Sequence, residues 1–341
     1  MRSSWCRTAA LLGVVALIGA ACADEAEETG GEGERPTVVF QGFPADPAAL
    51  PLLVMQEEGF DEENGFVGEY LAVDPDAATN TFLIGESDIA MEQDGINMTI
   101  VQQEGHEAVL FAPGLNMMTG IVVPEDSPYQ DPTDLVGEKV GHFGVDSGTT
   151  STIALMLREI YDLDVFSEYD LRETGPEALP ELLKSGEVEA IFDFEPLALR
   201  AVLETPGRYL FEPAKAWAEH TGGWSPWLTN LAARDDWLQE NEDIAFGIRD
   251  AWMDGIAVLE ESNYEILREE PYKSFLELKS DEELEAFIDY CVNLPCFGTT
   301  WTEEDIQGLN DYLELFAQHD ILIEETAEEP VAVILEDYFE E

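Results

Sequence analysis

The stretch Lys139-Val-Gly-His-Phe-Gly-Val-Asp-Ser-Gly-Thr-Thr-Ser-Thr-Ile-Ala-Leu-Met-Leu-Arg-Glu-Ile-Tyr161 contains one complete architectural unit. Lys139–Phe143 reads as a short buried strand. Gly144, Asp146 and Ser147 then supply turn and helix-start chemistry. From Thr149 to Tyr161 the apolar residues recur with helical spacing, so the segment predicts an amphipathic helix. A strand that runs directly into a helix is half of the repeating unit of an α/β fold.

The same unit recurs in both directions. Upstream, strands are predicted at Thr37–Phe40, Glu69–Val73, Asp88–Met91, Ala108–Ala112 and Gly120–Val123. Helices are predicted at Ala48–Glu58, stopped by Gly59, and at Pro75–Gly85 and Ile96–Glu104. The pattern restarts after Pro124. Downstream come strand Tyr169–Glu173, helix Glu177–Lys184, strand Ala190–Phe192, a helix opened by Pro196, and strand Tyr209–Phe211. Beyond Trp224 the chain reads as mainly helical, over Asp235–Ser262, Asp281–Tyr290 and Thr302–Gln318. No tandem repeat is visible. The alternation implies α/β architecture with largely parallel sheets.

The amino terminus has a different composition. Arg2 and Arg7 precede the apolar run Ala9–Ala21, which is too short to span a bilayer and reads as a secretory signal peptide, residues 1–21. Gly19-Ala-Ala-Cys22 resembles a bacterial lipobox, with Gly19 where a large aliphatic residue is usual. That resemblance implies lipidation of Cys22 and a protein held outside the cytoplasmic membrane by a lipid anchor. Residues 22–36 are acidic and glycine-rich with no large aliphatic side chain, the composition of a flexible tether.

Charge excludes one class of partner. The chain carries 74 acidic against 15 basic residues, a formal net charge of −59. Phosphate backbones and anionic lipid surfaces repel such a protein, so nucleic acid is not a partner and membrane contact falls to the anchor. The acids are spread along the sequence, as on the solvated surface of a protein from a saline habitat. Of the four cysteines, Cys6 leaves with the signal peptide and Cys22 takes the lipid. Cys291 and Cys296 remain, and in an exported chain they favour a local disulfide. The histidines are scattered, so no metal site is predicted, and no cofactor fingerprint appears.

Several segments, in order, resemble the solute-binding lipoproteins of ABC importers of the nitrate/sulfonate/taurine class, whose relatives include carriers of the thiamine pyrimidine precursor. They are Pro51-Leu-Leu-Val-Met-Gln-Glu-Glu-Gly-Phe60, Gly85-Glu-Ser-Asp-Ile-Ala90, Gly120-Ile-Val-Val-Pro124 with Asp126-Ser127, and Asp134-Leu-Val-Gly-Glu-Lys-Val-Gly141. Ser147-Gly-Thr149 and Leu183-Lys-Ser-Gly-Glu-Val-Glu-Ala-Ile-Phe192 with Glu195-Pro196 complete the set. The resemblance implies a two-lobed periplasmic-binding-protein type II fold with a two-stranded hinge. Lobe 1 would comprise 37–123 and 226–341, and lobe 2 would comprise 124–225. It also implies a monomeric carrier that passes its solute to an ABC permease.

Open α/β sheets bind ligands beyond the carboxyl ends of their strands, which selects the candidate site. After the first strand, Gln41, Gly42 and Phe43 offer amide chemistry and close backbone approach, or form a plain turn. Gln93 and Asp94 follow the third strand, with Asp94 equally suited to cap the next helix. Ser147, Thr149 and Thr150 open a helix whose free N–H groups suit an anion, or cap it. Asp193 and Glu195 can hold a cationic group, although Glu195 suits architecture as well. Trp224 and Trp227 can stack on a planar solute or pack in the hinge, and Asn116 lies near the other crossover.

No catalytic residue is predicted. A carrier is the leading expectation. A sensory module without a transport role, and an enzyme related to thiamine-pyrimidine synthase, are the alternatives. The candidate loops carry acids and tryptophans but no basic residue, which favours a neutral or cationic solute, such as a pyrimidine or an amine, over a sulfonate or nitrate.

Overall fold

A computed structural model describes residues 35–340. Residues 1–21, Cys22 and nearly all of the 22–36 segment lie outside the described residues. The strands are β1 (Thr37–Gly42), β2 (Val67–Ala72), β3 (Ile89–Gln93), β4 (Ala108–Pro113), β5 (Thr119–Pro124), β6 (Lys139–His142), β7 (Asp170–Glu173), β8 (Ala190–Phe194), β9 (Gly207–Phe211) and β10 (Asn230–Arg234). They form two five-stranded sheets, ordered β2-β1-β3-β10-β4 and β7-β6-β8-β5-β9. The two orders have the same form. In each, three parallel strands are followed by one antiparallel strand brought in by a crossover, and that strand carries the last strand on its far edge.

The structure departs from expectation in three places. The boundary at 123/124 assigns Gly120–Val123 to the first lobe, but β5 is hydrogen-bonded to β8 and β9 in the second sheet. The crossover therefore runs through residues 114–118. Strand β10 falls in the part beyond Trp224 that reads as mainly helical, just before the helix expected from Asp235. Its Leu231-Ala-Ala233 core has weak intrinsic β preference, and its strand character comes from sitting between β3 and β4, where all three residues are fully buried. The sheets are accordingly mixed. The helix expected over Asp235–Ser262 is two helices, Asp235–Glu240 and Glu242–Glu261, which meet at Asn241.

The two crossovers run side by side. Asn116 and Trp227 form an antiparallel bridge, and Leu228 N–H donates to the Leu115 carbonyl at 2.8 Å. A Cβ on Gly114 would lie 2.6 Å from the Thr229 carbonyl oxygen, so glycine is what lets the two backbones touch. A third segment joins them. Leu115 bridges Phe297, and Asn116 N–H donates to the Cys296 carbonyl at 2.8 Å. Cys296 is disulfide-bonded to Cys291 at the end of helix Asp281–Asn293.

Apolar packing continues across both sheets. One core lies between the first sheet and helices Glu242–Glu261 and Asp281–Asn293. A second includes Ala90 and Leu110 of the first sheet, Val140 and Phe192 of the second, and Leu309, Tyr312, Leu313 and Phe316 of helix Glu303–Gln318. An ion pair spans the lobes as well. Arg200, on the helix after β8, donates to Glu283 Oε1 at 2.7 Å, and both residues are buried. Among the described residues, no helix is long and apolar enough to cross a membrane.

Helix Glu242–Glu261 lies so close to the first helix, Leu50–Glu58, that a Cβ on Gly255 would come within 2.7 Å of the Pro51 carbonyl oxygen. Gly255→Ala should therefore destabilise the fold by about 1–3 kcal/mol, although alanine is the better helix former by ~1 kcal/mol. Urea unfolding of the variant checks this. An unchanged or raised midpoint would refute the close approach.

Candidate functional site

Because β5 and β10 run antiparallel to their neighbours, their first residues lie at the same sheet edges as the last residues of the parallel strands. Register places Asn230 opposite Gln93 in the first sheet, and Thr119 and Gly120 opposite Phe194 and Asp193 in the second. Asn230 pairs with Pro113, where the first crossover leaves its sheet, and Thr119 is where that crossover enters the other. Both edges therefore border the hinge.

Polar side chains are buried along these edges. Gln41 is fully buried. Its Nε2 donates to the Ala78 carbonyl at 2.9 Å and to Glu92 Oε1 at 2.5 Å, and its Oε1 accepts from Ser87 Oγ at 2.6 Å. Gln93 Nε2 donates to the same Glu92 oxygen at 3.1 Å. Asp193 Oδ1 accepts from Phe194 N–H at 3.0 Å. The remaining atoms of this group have no partner within the protein: Glu92 Oε2, Gln93 Oε1, Thr119 Oγ1, Asp193 Oδ2, and both polar atoms of the Asn230 side chain. An unpartnered buried polar group costs about 1–3 kcal/mol, so such groups at the edges of both sheets call for external partners.

Burial also changes the carboxyl groups. It raises Glu92 to about 7, against the opposing hydrogen bonds from Gln41 and Gln93. It raises Asp193 well above the carboxylate range. Both follow from desolvation, which penalises the charged form.

The other expected residues have other surroundings. Gly42 packs against Met91 and Tyr70, and the half-buried Phe43 gives its carbonyl to the Tyr70 hydroxyl and its N–H to Asp46. Asp94 caps helix Gly95–Gln103 by accepting from Asn97 N–H at 2.8 Å. Its other oxygen lies 2.8 Å from where a Gly148 Cβ would be, so it faces the start of helix Gly148–Tyr161 from the opposite lobe. Ser147 caps that helix by accepting from Thr150 N–H, and Thr149 and Thr150 are buried. The crevice between these helix starts, closed by Trp227, Leu309 and Tyr312, has a volume of about 10 Å³. That is barely room for one water, so the lobes are in contact there.

Glu195 is buried with both oxygens engaged, one by the Tyr209 hydroxyl and one by Leu199 N–H at 2.9 Å, an architectural arrangement. Trp224 packs over Gly308 and meets Trp227 edge-on, and Trp227 also contacts Trp301. Asn116 spends its amide on the Pro295 and Phe297 carbonyls. These residues build the hinge. Hydrogen bonds join Gln41 and Gln93 to Glu92, and register sets Asn230 beside Gln93; Thr119 and Asp193 stand at the corresponding edge of the second sheet, and Thr119 and Asn230 were not anticipated. Both begin antiparallel strands, and attention to carboxyl strand ends passes over them. A second cavity of about 1070 Å³, near His106, Glu303 and Tyr338, lies away from this cluster. Among the described residues, no group of three His, Cys, Asp or Glu could hold a metal.

Comparison with known proteins follows the same architecture. The model of the NMT1-like family matches residues 32–265. The periplasmic aliphatic sulphonate binding protein SsuA from Escherichia coli superposes with a TM-score of 0.67 at 14% identity, over 90% of this chain and 100% of that one. The ligand-binding component of an ABC-type import system from Staphylococcus aureus gives 0.68 at 12% identity, over 88% and 97%. The desulfurization enzyme DSZB gives 0.60 at 14% identity, over 90% and 99%. At these identities the likeness is one of fold: two-lobed, α/β, of the periplasmic-binding-protein type II class. No curated protein matches the sequence.

The raised carboxyl groups set a pH dependence. Glu92 and Glu195 are raised to about 7, and Asp46 and Asp94 to about 6, each chiefly by burial. A raised group binds protons more tightly in the folded state. Its stabilisation is complete below the unfolded value near ~4 and is lost as pH rises through the folded value. At constant ionic strength, thermal stability of the ligand-free protein should fall as pH rises from about 5 to 8. Glu92→Gln should remove on the order of 2 kcal/mol of that fall. A stability profile that is flat or rises over this range would contradict the burial of these groups.

Proposed function

This chain belongs to the NMT1-like family, and from that premise we propose that it is an extracytoplasmic carrier. It captures a small organic solute between its lobes and delivers it to an ABC permease. The observation that supports this most directly is the set of buried, unpartnered polar atoms contributed by both sheets beside the hinge. A site assembled from two lobes closes on its ligand by hinge motion. Because these groups are buried, a solute reaches them only when the lobes part.

The E. coli and S. aureus proteins that share the fold are, by their descriptions, a sulphonate-binding protein and a component of an import system. An enzyme shares the fold too. The amino-terminal segment favours the carrier: a short apolar run followed by Cys22 suits a protein exported and held at the membrane by lipid. The lobes we assign are residues 37–113 with 230–340 and residues 119–221, linked by the paired crossovers.

Two experiments test this reading. A solute that raises the melting temperature of the purified chain should no longer be taken up by cells lacking the gene. Uptake that continues at the same rate would sink the transport role. Cys22→Ser should move the protein from the membrane fraction to the soluble fraction. A variant that stays with the membrane would refute lipid anchoring.

A further inference from the structure

We infer that Arg200 and Glu283 form a latch that holds the two lobes together without solute, and that Glu177 is the partner Arg200 keeps when the lobes part. The inference goes beyond the carrier reading. It concerns the resting equilibrium of the ligand-free chain, and only its consequence for uptake rests on that reading.

The latch joins helices of opposite lobes. Helix Leu197–Glu204 follows β8 in the second lobe, and helix Asp281–Asn293 belongs to the first. Arg200 Nε donates to Glu283 Oε1 at 2.7 Å, and the two side chains are 8% and 4% exposed. Leu199, beside Arg200, packs into the first-lobe core that also holds Leu284 and Phe287. Glu283 is held in place by its own helix start. Ser280 Oγ accepts from Glu283 N–H at 3.1 Å, and Glu283 Oε2 accepts from Lys279 N–H at 2.5 Å. Each charge is thus buried against a partner from the other lobe, and removing one partner leaves the other charge uncompensated.

Helix Asp281–Asn293 is a lever with its fixed end at the hinge. It carries Cys291, bonded to Cys296, whose carbonyl accepts from Asn116 N–H of the first crossover. A rise of ~1.5 Å per residue puts Glu283 about 12 Å along the helix from Cys291. A hinge rotation of ~15° therefore carries Glu283 by up to ~3 Å, enough to break its bond to Arg200. Tyr290 neighbours Cys291, and its ring lies 6.5 Å from that of Tyr209 on β9. That contact sits close to the fixed end and moves little. Parting acts first on Arg200 and Glu283.

Arg200 then retains one partner. Its Nη1 lies 3.3 Å from Glu177 Oε2 of its own lobe, and the Glu177 side chain is 78% exposed. In the parted form Glu177 and water solvate the guanidinium, while Glu283 keeps the Lys279 N–H. Helix Glu303–Gln318 also touches both lobes. Tyr312 donates to Thr152 Oγ1 at 2.9 Å in the second, and Leu309 and Leu313 close over Gly95 in the first. Held on both sides, it can travel with either lobe. A solute reaches buried groups only in the parted form, so the latch sets the fraction of chains open to capture.

The test reads the parted fraction from the labelling rate of a thiol placed at the joint, Leu199→Cys. It is made in the full chain with Cys22→Ser, ligand-free and at one salt concentration. Arg200→Gln and Glu283→Gln should each speed labelling about 10-fold or more. Glu177→Gln should slow it about 2- to 5-fold, because the parted form loses the partner of Arg200. Glu187→Gln, an exposed acid outside the latch, should leave the rate unchanged. Ala251→Cys, fully buried in the first-lobe core, labels only on unfolding and should not follow these changes. Equal rates in all variants would overturn the latch. So would rates at Ala251→Cys that rise in parallel, or faster labelling in Glu177→Gln. None of these outcomes bears on the carrier reading, which uptake tests separately.

Discussion

The two crossovers that connect the sheets are tied to each other by a few backbone hydrogen bonds. Residues 114–118 and 222–229 lie side by side, joined at Asn116 and Trp227 and drawn together by the absence of a side chain at Gly114. The disulfide-closed loop at Cys296 and Phe297 braces the same crossover from the third side. Because each crossover delivers the antiparallel strand of one sheet, the hinge also fixes which polar residues stand at the sheet edges. Thr119 and Asn230, each with buried unpartnered polar atoms, are the first residues of the strands that the crossovers deliver.

The acids of this chain do two different things. Most are on the surface, where they are solvated and screened by salt. A few are buried near the hinge, where water is excluded and each charge needs a partner. Glu195 has its partners in Tyr209 and Leu199, so it supports architecture. Asp94 serves as a helix cap and faces a second helix. Glu92 and Asp193 are each left with a free oxygen. What separates Glu195 from Glu92 and Asp193 is thus unfilled hydrogen-bonding capacity, not residue type.

Much of the fold was legible because strand and helix periodicities differ and because turn residues punctuate them. Lys139–Tyr161 formed as read, to within a residue at each boundary. Strand β10 was not legible, since Ala232 and Ala233 carry little strand preference and become a strand only through neighbours on both sides. The site was legible in part. Gln41, Gln93 and Asp193 stand at the carboxyl ends of parallel strands, where the general rule points. Trp224, Trp227 and Asn116 read as suited either to a ligand or to hinge packing, and their partners are a helix, another tryptophan and a distant loop. No local pattern encodes contacts of that kind.

The repeated strand order has a consequence for the order in which the chain can fold. Strands β5 to β9 are contiguous, so the second sheet has all its members once residue 211 has been synthesised. The first sheet has to wait. Strand β4 touches it only through β10, which ends at Arg234. Between residues 113 and 230 the growing polypeptide holds an unpaired edge on β3 and an unattached β4, while a whole lobe forms downstream. Vectorial synthesis therefore presents every strand of the inserted sheet before the last strand of the first, while the core of the inserted lobe still awaits helix Glu303–Gln318.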